Sequence, residues 1–228
     1  MNVPQPVLLA WSGGKDCLAA LARLRSDPAW TPAGLLTTLT RDFDRVSMHG
    51  IRHDVLRAQA ESLGLPLIEC VLDWPSSNAD YEAAMADALQ RAQTRWPGID
   101  HCAFGDLFLA DVRAYRETQL ARAGWHAVFP LWGTDTRGQA RAFIAAGYRA
   151  VITCVDTTQL DASFSGRDFD AALLADLPPT VDPCGERGEF HTLSYAGPPF
   201  TRPIDLRRGE SVLRDGRFQY TDFSLARP

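Results

Sequence analysis

The sequence predicts an α/β chain: a twisted parallel sheet with helices on both faces, followed by a smaller C-terminal α/β unit. Three observations predict it. Short apolar runs alternate with stretches of helical periodicity between residues 7 and 129. Gly64 and Gly124 fall just past two of the helical stretches, where a left-handed residue ends a helix. After Pro130-Leu131-Trp132-Gly133 the texture changes. Strands alternating with helices of this length need crossover connections, which give a parallel sheet covered on both sides. Residues 1–132 are therefore read as the first unit and 133–228 as the second.

Taken in order, the run 7–11 is a strand that stops at Ser12-Gly13-Gly14, and 16–25 is a helix with Leu18, Leu21 and Ala22 on one face. Residues 34–39 form the next strand, 51–63 a helix closed by Gly64, and 67–71 a strand. A helix over 81–95 ends before Pro97-Gly98, and strand 101–104 runs into Gly105-Asp106. Residues 111–123 are helical and 127–129 extended. In the second unit 136–146 is a helix, 150–155 a β-rich run and 168–174 a short helix, with loop and hairpin beyond Pro178-Pro179. No internal repeat or low-complexity segment interrupts this pattern.

Composition narrows the class. With 46% hydrophobic and 22% charged residues the chain is globular rather than disordered. No apolar run approaches the roughly 20 residues that span a bilayer. Met1-Asn2-Val3-Pro4-Gln5-Pro6 lacks the basic region of a signal peptide, so a cytoplasmic location is expected. The five cysteines are scattered and form no C-x-x-C pair, which indicates neither a disulfide framework nor a zinc site. The net charge of −5 argues against a broad nucleic-acid footprint and favours a small-molecule substrate.

Chemistry concentrates first at Ser12-Gly13-Gly14-Lys15-Asp16, at the carboxyl end of the first strand, where ligands of open parallel sheets bind. The glycines let N–H groups approach an anion, the following helix adds its positive end, Ser12 offers a hydroxyl and Lys15 a charge. The alternative is an ordinary tight turn with a solvated lysine. The spacing matches neither G-x-x-x-x-G-K-[ST] nor G-x-G-x-x-G. A second concentration is Cys184-Gly185-Glu186-Arg187-Gly188-Glu189-Phe190-His191-Thr192. In an extended stretch Glu189 and His191 face the same side, where both could reach one ligand and His191 could exchange a proton near neutrality. A polar hairpin whose glycines merely turn the chain is the alternative. Arg113, Arg116 and Glu117 recur at helical spacing, as a salt-bridged face or, preferably, a pocket wall. Asp106 caps the next helix or faces a ligand, and His49 belongs to a substrate loop or is structural.

The glycine loop resembles the S-G-G-x-D-S loop of the N-type ATP pyrophosphatases, which include GMP synthetase, asparagine synthetase and tRNA thiolation enzymes. Those enzymes share a Rossmann-like, adenine nucleotide alpha hydrolase-like fold. Cys17 stands where they usually have a second serine, so one phosphate contact is lost or passes to a backbone N–H. Through nearly the whole chain the resemblance is to the diphthine–ammonia ligase (diphthamide synthetase) family. It is carried by Trp11-Ser12-Gly13-Gly14-Lys15-Asp16, Met48-His49-Gly50, Gln59-Ala60-Glu61, Gly105-Asp106 with Arg113, Arg116 and Glu117, Pro130-Leu131-Trp132, Gly166-Arg167, and above all the segment from Asp182 to Thr192.

The resemblance implies that ATP binds on Ser12, Gly13, Gly14, Lys15, Asp16 and Cys17, that Gly105 lets the nucleotide approach the backbone, and that Asp106 contacts ATP or its magnesium. It implies catalytic roles for Lys15, Glu186, Glu189 and His191, magnesium on Asp106 and Glu189, and substrate contacts at His49, Arg113, Arg116, Glu117, Cys184 and Thr192. The reaction implied is adenylation of a small-molecule or protein-borne carboxylate, then displacement of AMP by ammonia. Abundant Ala and Arg suggest a bacterial-type member, for which corrinoid (B12) salvage is an alternative role. Two further alternatives are tRNA thiolation through a persulfide on Cys184 or Cys17 and a non-catalytic ATP-binding module. Exposed apolar helix faces would allow a homodimer.

Overall fold

The structure, a computed structural model, describes residues 3–226. Met1 and Asn2, part of the segment read above for a leader, and Arg227 and Pro228, at the end of the second expected unit, lie outside them. The first half of the chain runs β1 (Gln5–Ala10), α1 (Lys15–Ser26), β2 (Trp30–Thr40), β3 (Arg45–Val46), α2 (His53–Leu63), β4 (Leu67–Leu72), α3 (Asn78–Arg95), β5 (His101–Ala103), α4 (Ala110–Arg122) and β6 (His126–Val128). Five strands form a parallel sheet in the order β4-β2-β1-β5-β6, and β3 adds antiparallel to the end of β2 through Leu39 and Val46. The strand order reverses at β1, so the loops after β1 and β5 flank the crevice in which doubly wound folds bind ligands. The fold is α/β and Rossmann-like.

Both faces of this sheet are covered, which is why its strands read as continuous apolar runs. Successive side chains of β1 go to opposite faces: Leu8 packs with Ala88, Leu89 and Trp125 on one side, and Val7 and Leu9 pack with Leu18, Leu21 and Leu56 on the other. The second of these clusters continues without a break into Phe143, Ile152, Phe190 and Leu193. Those residues belong to the elements that follow: α5 (Thr136–Ala145), β7 (Arg149–Asp156), α6 (Ala171–Asp176), β8 (Phe190–Ala196), β9 (Leu206–Arg214) and β10 (Phe218–Leu225). Their strands make a separate antiparallel sheet in the order β8-β7-β10-β9.

Two expectations change here. The helix expected over 168–174 begins at Ala171, because Asp168 bridges to Val151 and the Asp170 carboxylate accepts the Leu173 N–H at 2.8 Å as an N-cap. The expected loop and hairpin beyond residue 178 contain three strands, of which β8 pairs with β7 rather than with its successor. The sheets are also tied by charge: Asp222 on β10 accepts from Arg45 (2.9 Å) and Arg52 (2.6 Å). Among the described residues no helix is long and apolar enough to cross a membrane.

Candidate active site

A cavity of about 460 Å³ opens at the carboxyl ends of the parallel strands, within the size range of small-molecule sites. Three segments meet in it: the loop after β1 with the first turn of α1 (Ser12, Lys15, Asp16, Cys17), the loop after β5 (Phe104, Gly105, Asp106), and the segment leading into β8 (Cys184, Glu186, His191, Thr192). Ser47, Met48 and His49 close one side, and Tyr81 and Arg116 another.

The glycine loop is held from below by Gln59 of α2, which is fully buried. Its Oε1 accepts the indole N–H of Trp11 at 3.0 Å, and its Nε2 donates to the carbonyls of Gly13 (3.0 Å) and Ser194 (2.6 Å). Gly13 has φ +84°, and a Cβ there would stand 2.8 Å from Gln59 Oε1, so both conformation and space require glycine. The N–H of Lys15 donates to Thr192 Oγ1 at 3.0 Å, so a side chain from β8 caps α1. Thr192 is thus a clamp on the loop as well as part of the cavity wall. The N–H groups of Asp16 and Cys17, which the helix cannot satisfy internally, find no other partner among the described residues. They leave a positive helix end for an anion.

Lys15 reaches the cavity wall but is 3% exposed. Its ammonium donates to both Asp16 oxygens (2.7 and 3.0 Å) and to the Cys184 carbonyl. Burial works to lower its pKa, yet the Asp16 carboxylate outweighs this and raises it, so the group stays charged and tied. Arg116 pairs with Asp106, Nε to Oδ2 at 2.8 Å and Nη2 to Oδ1 at 3.1 Å, while its guanidinium lies 4.4 Å from the centre of the Phe104 ring. The Nε–Oδ2 contact is close but poorly aligned, leaving both atoms without a hydrogen bond.

Glu186 joins the second and third segments: its Oε1 accepts the N–H of Leu107 at 2.7 Å. Burial, with the Asp16 charge adding, pushes its carboxyl up to about 7 against the lowering effect of that bond. His49 and His191 stand with ring centres 4.5 Å apart. Burial carries His191 down to about 4, and it carries His49 well below the ordinary histidine range, with the neighbouring imidazole adding. Both rings are therefore neutral near pH 7. Cys17 donates to the Gly14 carbonyl at 3.0 Å and Cys184 to that of Thr136 at 3.2 Å; burial raises them to about 11 and about 12, so both remain thiols.

Other expected site residues stand elsewhere. Glu189 and His191 do not share a ligand: Glu189 is 2% exposed, lies outside the cavity lining, and accepts the N–H groups of Asp182 (2.8 Å) and Arg187 (3.0 Å). It closes the loop of residues 182–189 on itself, and no group of three or more His, Cys, Asp or Glu suited to a metal forms among the described residues. Gly105 makes room for protein: a Cβ there would meet the Asp16 carbonyl carbon at 2.8 Å and the Cys17 nitrogen at 3.0 Å, so it lets α1 pack against the β5 loop. Arg113 and Glu117 pair with each other at 2.8 Å outside the cavity, with the Arg113 guanidinium 4.7 Å from the Trp132 ring centre and 4.9 Å from that of Phe129. Gly14 sits under the loop, where a Cβ would meet the Thr192 carbonyl at 3.2 Å. Sequence reasoning missed Thr38, Tyr81 and Phe104 in the wall; Thr38 and Phe104 were legible in principle as residues near the carboxyl ends of strands, whereas nothing local marks Tyr81.

Comparison with known proteins agrees with this architecture. The model of the diphthamide synthase N-terminal domain matches residues 6–124, and that of the diphthamide synthase C-terminal domain matches residues 135–220. A diphthine–ammonia ligase of Schizosaccharomyces pombe is 25% identical over 184 residues, which cover 75% of this chain and 30% of that protein. The chain thus spans less than a third of the length of this relative. With matches to both domains covering most of its length and meeting at one cavity, the chain belongs to the diphthamide synthase family.

Proposed function

We propose that the chain activates a carboxylate with ATP and transfers ammonia to it. The observation that carries this reading is the meeting, in one cavity, of an anion-accepting helix N-terminus and a carboxyl group, Glu186, poised to exchange a proton near neutrality. In the first step a carboxylate oxygen of the acceptor bonds to the α phosphorus and the bond to the β-phosphate oxygen breaks, releasing pyrophosphate. In the second, ammonia bonds to the acyl carbon, the bond to AMP breaks, and the proton lost by nitrogen passes to Glu186. The free N–H groups of Asp16 and Cys17 and the hydroxyl of Ser12 fit a polyphosphate, as does the cavity volume.

Magnesium, when bound, would offset phosphate charge, and Asp106, whose Oδ2 accepts no hydrogen bond although it stands 2.8 Å from Arg116 Nε, is the residue that would hold it, in exchange for that ion pair. The His49–His191 pair presents a neutral wall toward the incoming ammonia, so it does not repel a neutral nucleophile or hold ammonium by charge. Persulfide chemistry is disfavoured, because Cys17 and Cys184 are buried and protonated. A pure binding module has no use for a carboxyl group held near neutral titration.

The test is incubation of the protein with Mg-ATP, ammonium and a pool of carboxylate metabolites, with AMP separated from ADP. Pool-dependent release of AMP that stops in Glu186→Gln, with at most one equivalent of pyrophosphate still formed, would support the reading; ADP, or no turnover despite ATP binding, would sink it.

A further inference from the structure

Among the described residues that line the cavity there is no surplus positive charge. Lys15 is neutralised by Asp16 and Arg116 by Asp106, each at 2.7–2.8 Å. His49 and His191 are neutral, and Glu186 adds partial negative charge. A nucleoside triphosphate brings several negative charges, and the pyrophosphate that leaves concentrates them. One cation next to the lining in sequence has no ionic partner among the described residues: Arg187, exposed and itself outside the lining, between Glu186 and Gly188, both of which line the cavity. Its backbone is fixed, since its N–H donates to Glu189 Oε2 at 3.0 Å, and its guanidinium rests 5.7 Å from the centre of the Phe108 ring. The head group lies exposed beside the β5–α4 loop, without a hydrogen bond or ion pair of its own among the described residues.

We propose that Arg187 is the phosphate-recognising residue of this site, contacting the β and γ phosphates of the bound nucleotide and stabilising pyrophosphate as it departs through the mouth. The inference rests on the ATP reading above. It moves to Arg187 the role that the sequence suggested for Lys15, whose ammonium is already engaged. The guanidinium fork suits phosphate oxygens two at a time. The reacting carboxylate of the acceptor loses its charge on adenylation, so a fixed cation is better matched to the leaving group.

The experiment is calorimetric titration of the full chain and of Arg187→Ala and Arg187→Lys with Mg-ATP, magnesium tripolyphosphate and AMP. The expected result is a loss of about 10-fold or more in affinity of Arg187→Ala for Mg-ATP and tripolyphosphate, with AMP unchanged and Arg187→Lys intermediate. An unchanged urea midpoint is expected for both variants, since the side chain is exposed. Equal Mg-ATP and tripolyphosphate affinities in wild type and Arg187→Ala would overturn the assignment, including the case in which only acceptor-dependent turnover falls. Failure of the wild-type chain to bind Mg-ATP would overturn the ATP reading and this inference with it.

Discussion

Gln59 is fully buried and joins three elements through one amide, so replacing it with leucine tests whether that amide holds the glycine loop. In Gln59→Leu the Trp11 indole N–H loses its acceptor, and the Ser194 carbonyl loses its donor. The Gly13 carbonyl keeps a second donor, the Ser194 N–H at 2.8 Å, and is penalised less. A buried polar group left without a partner costs about 1–3 kcal/mol. Two such groups, offset in part by the greater apolarity of leucine, predict a net loss of about 2–4 kcal/mol. With a urea slope of about 2–3 kcal/mol/M, the midpoint falls by about 0.7–2 M at unchanged slope. The assay is urea unfolding followed by tryptophan fluorescence and far-UV circular dichroism. Gln59→Glu is the companion variant: among carbonyl acceptors its carboxyl is held protonated, so its pKa rises on folding. Its stability is therefore greatest in acid and declines as pH climbs past the ordinary glutamate range. A Gln59→Leu chain within about 0.5 kcal/mol of wild type would refute the argument, since ordinary surface changes do as much.

Three further outcomes follow from the same geometry. Gly105→Ala forces backbone atoms of Asp16 and Cys17 away from contacts of 2.8–3.0 Å, so it should cost about 1–3 kcal/mol and weaken Mg-ATP binding, measured by thermal unfolding and calorimetry. Glu186→Gln should abolish the rise of amide formation through pH about 7, assayed at constant free ammonia, while leaving ATP binding in place. His191 has a folded pKa of about 4, below its unfolded value near 6.5, so the stability it contributes is present above pH 6.5 and is lost as pH falls toward 4. The full effect is about 3 kcal/mol, and urea midpoints from pH 7 to 4 should fall less steeply in His191→Gln.

The parallel half of the fold was legible because its signals are local. Strands buried on both faces read as apolar runs, and Gly64 marks the end of α2 with φ +67°. The antiparallel half was less so: β8 pairs with β7 across a long connection, and no short-range turn marks that partnership. Within the site, Ser12, Lys15, Asp16, Asp106, Glu186 and His191 line the cavity; the first three stand out as polar residues around two glycines at a strand end, whereas Asp106, Glu186 and His191 were marked by the resemblance of their motifs. The failures share a cause. Glu189 and His191 were placed on one side by assuming continuous extension, but Glu189 lies ahead of β8, just after Gly188 at φ +82°, and turns inward to bind its own loop. Arg113 and Arg116 share a helix face by spacing, yet the rings of Phe129 and Trp132 hold Arg113 away from the cavity. Which neighbour captures a long side chain is a tertiary fact.

The glycine loop looks self-sufficient in sequence, with its serine, two glycines, lysine and aspartate in a row. In the folded chain its conformation is imposed from β8. Thr192 caps the first N–H of α1, Ser194 donates to the Gly13 carbonyl, and the Cys184 carbonyl takes the lysine ammonium. Gln59 closes the arrangement by bonding Gly13 and Ser194 together. The lysine that seems made for phosphate is thereby turned into a strut between the two sheets, and its charge is balanced before any ligand arrives. A displacement of β8 would move the anion-accepting helix end and Glu186 together, because both are attached to the same strand and its leading loop.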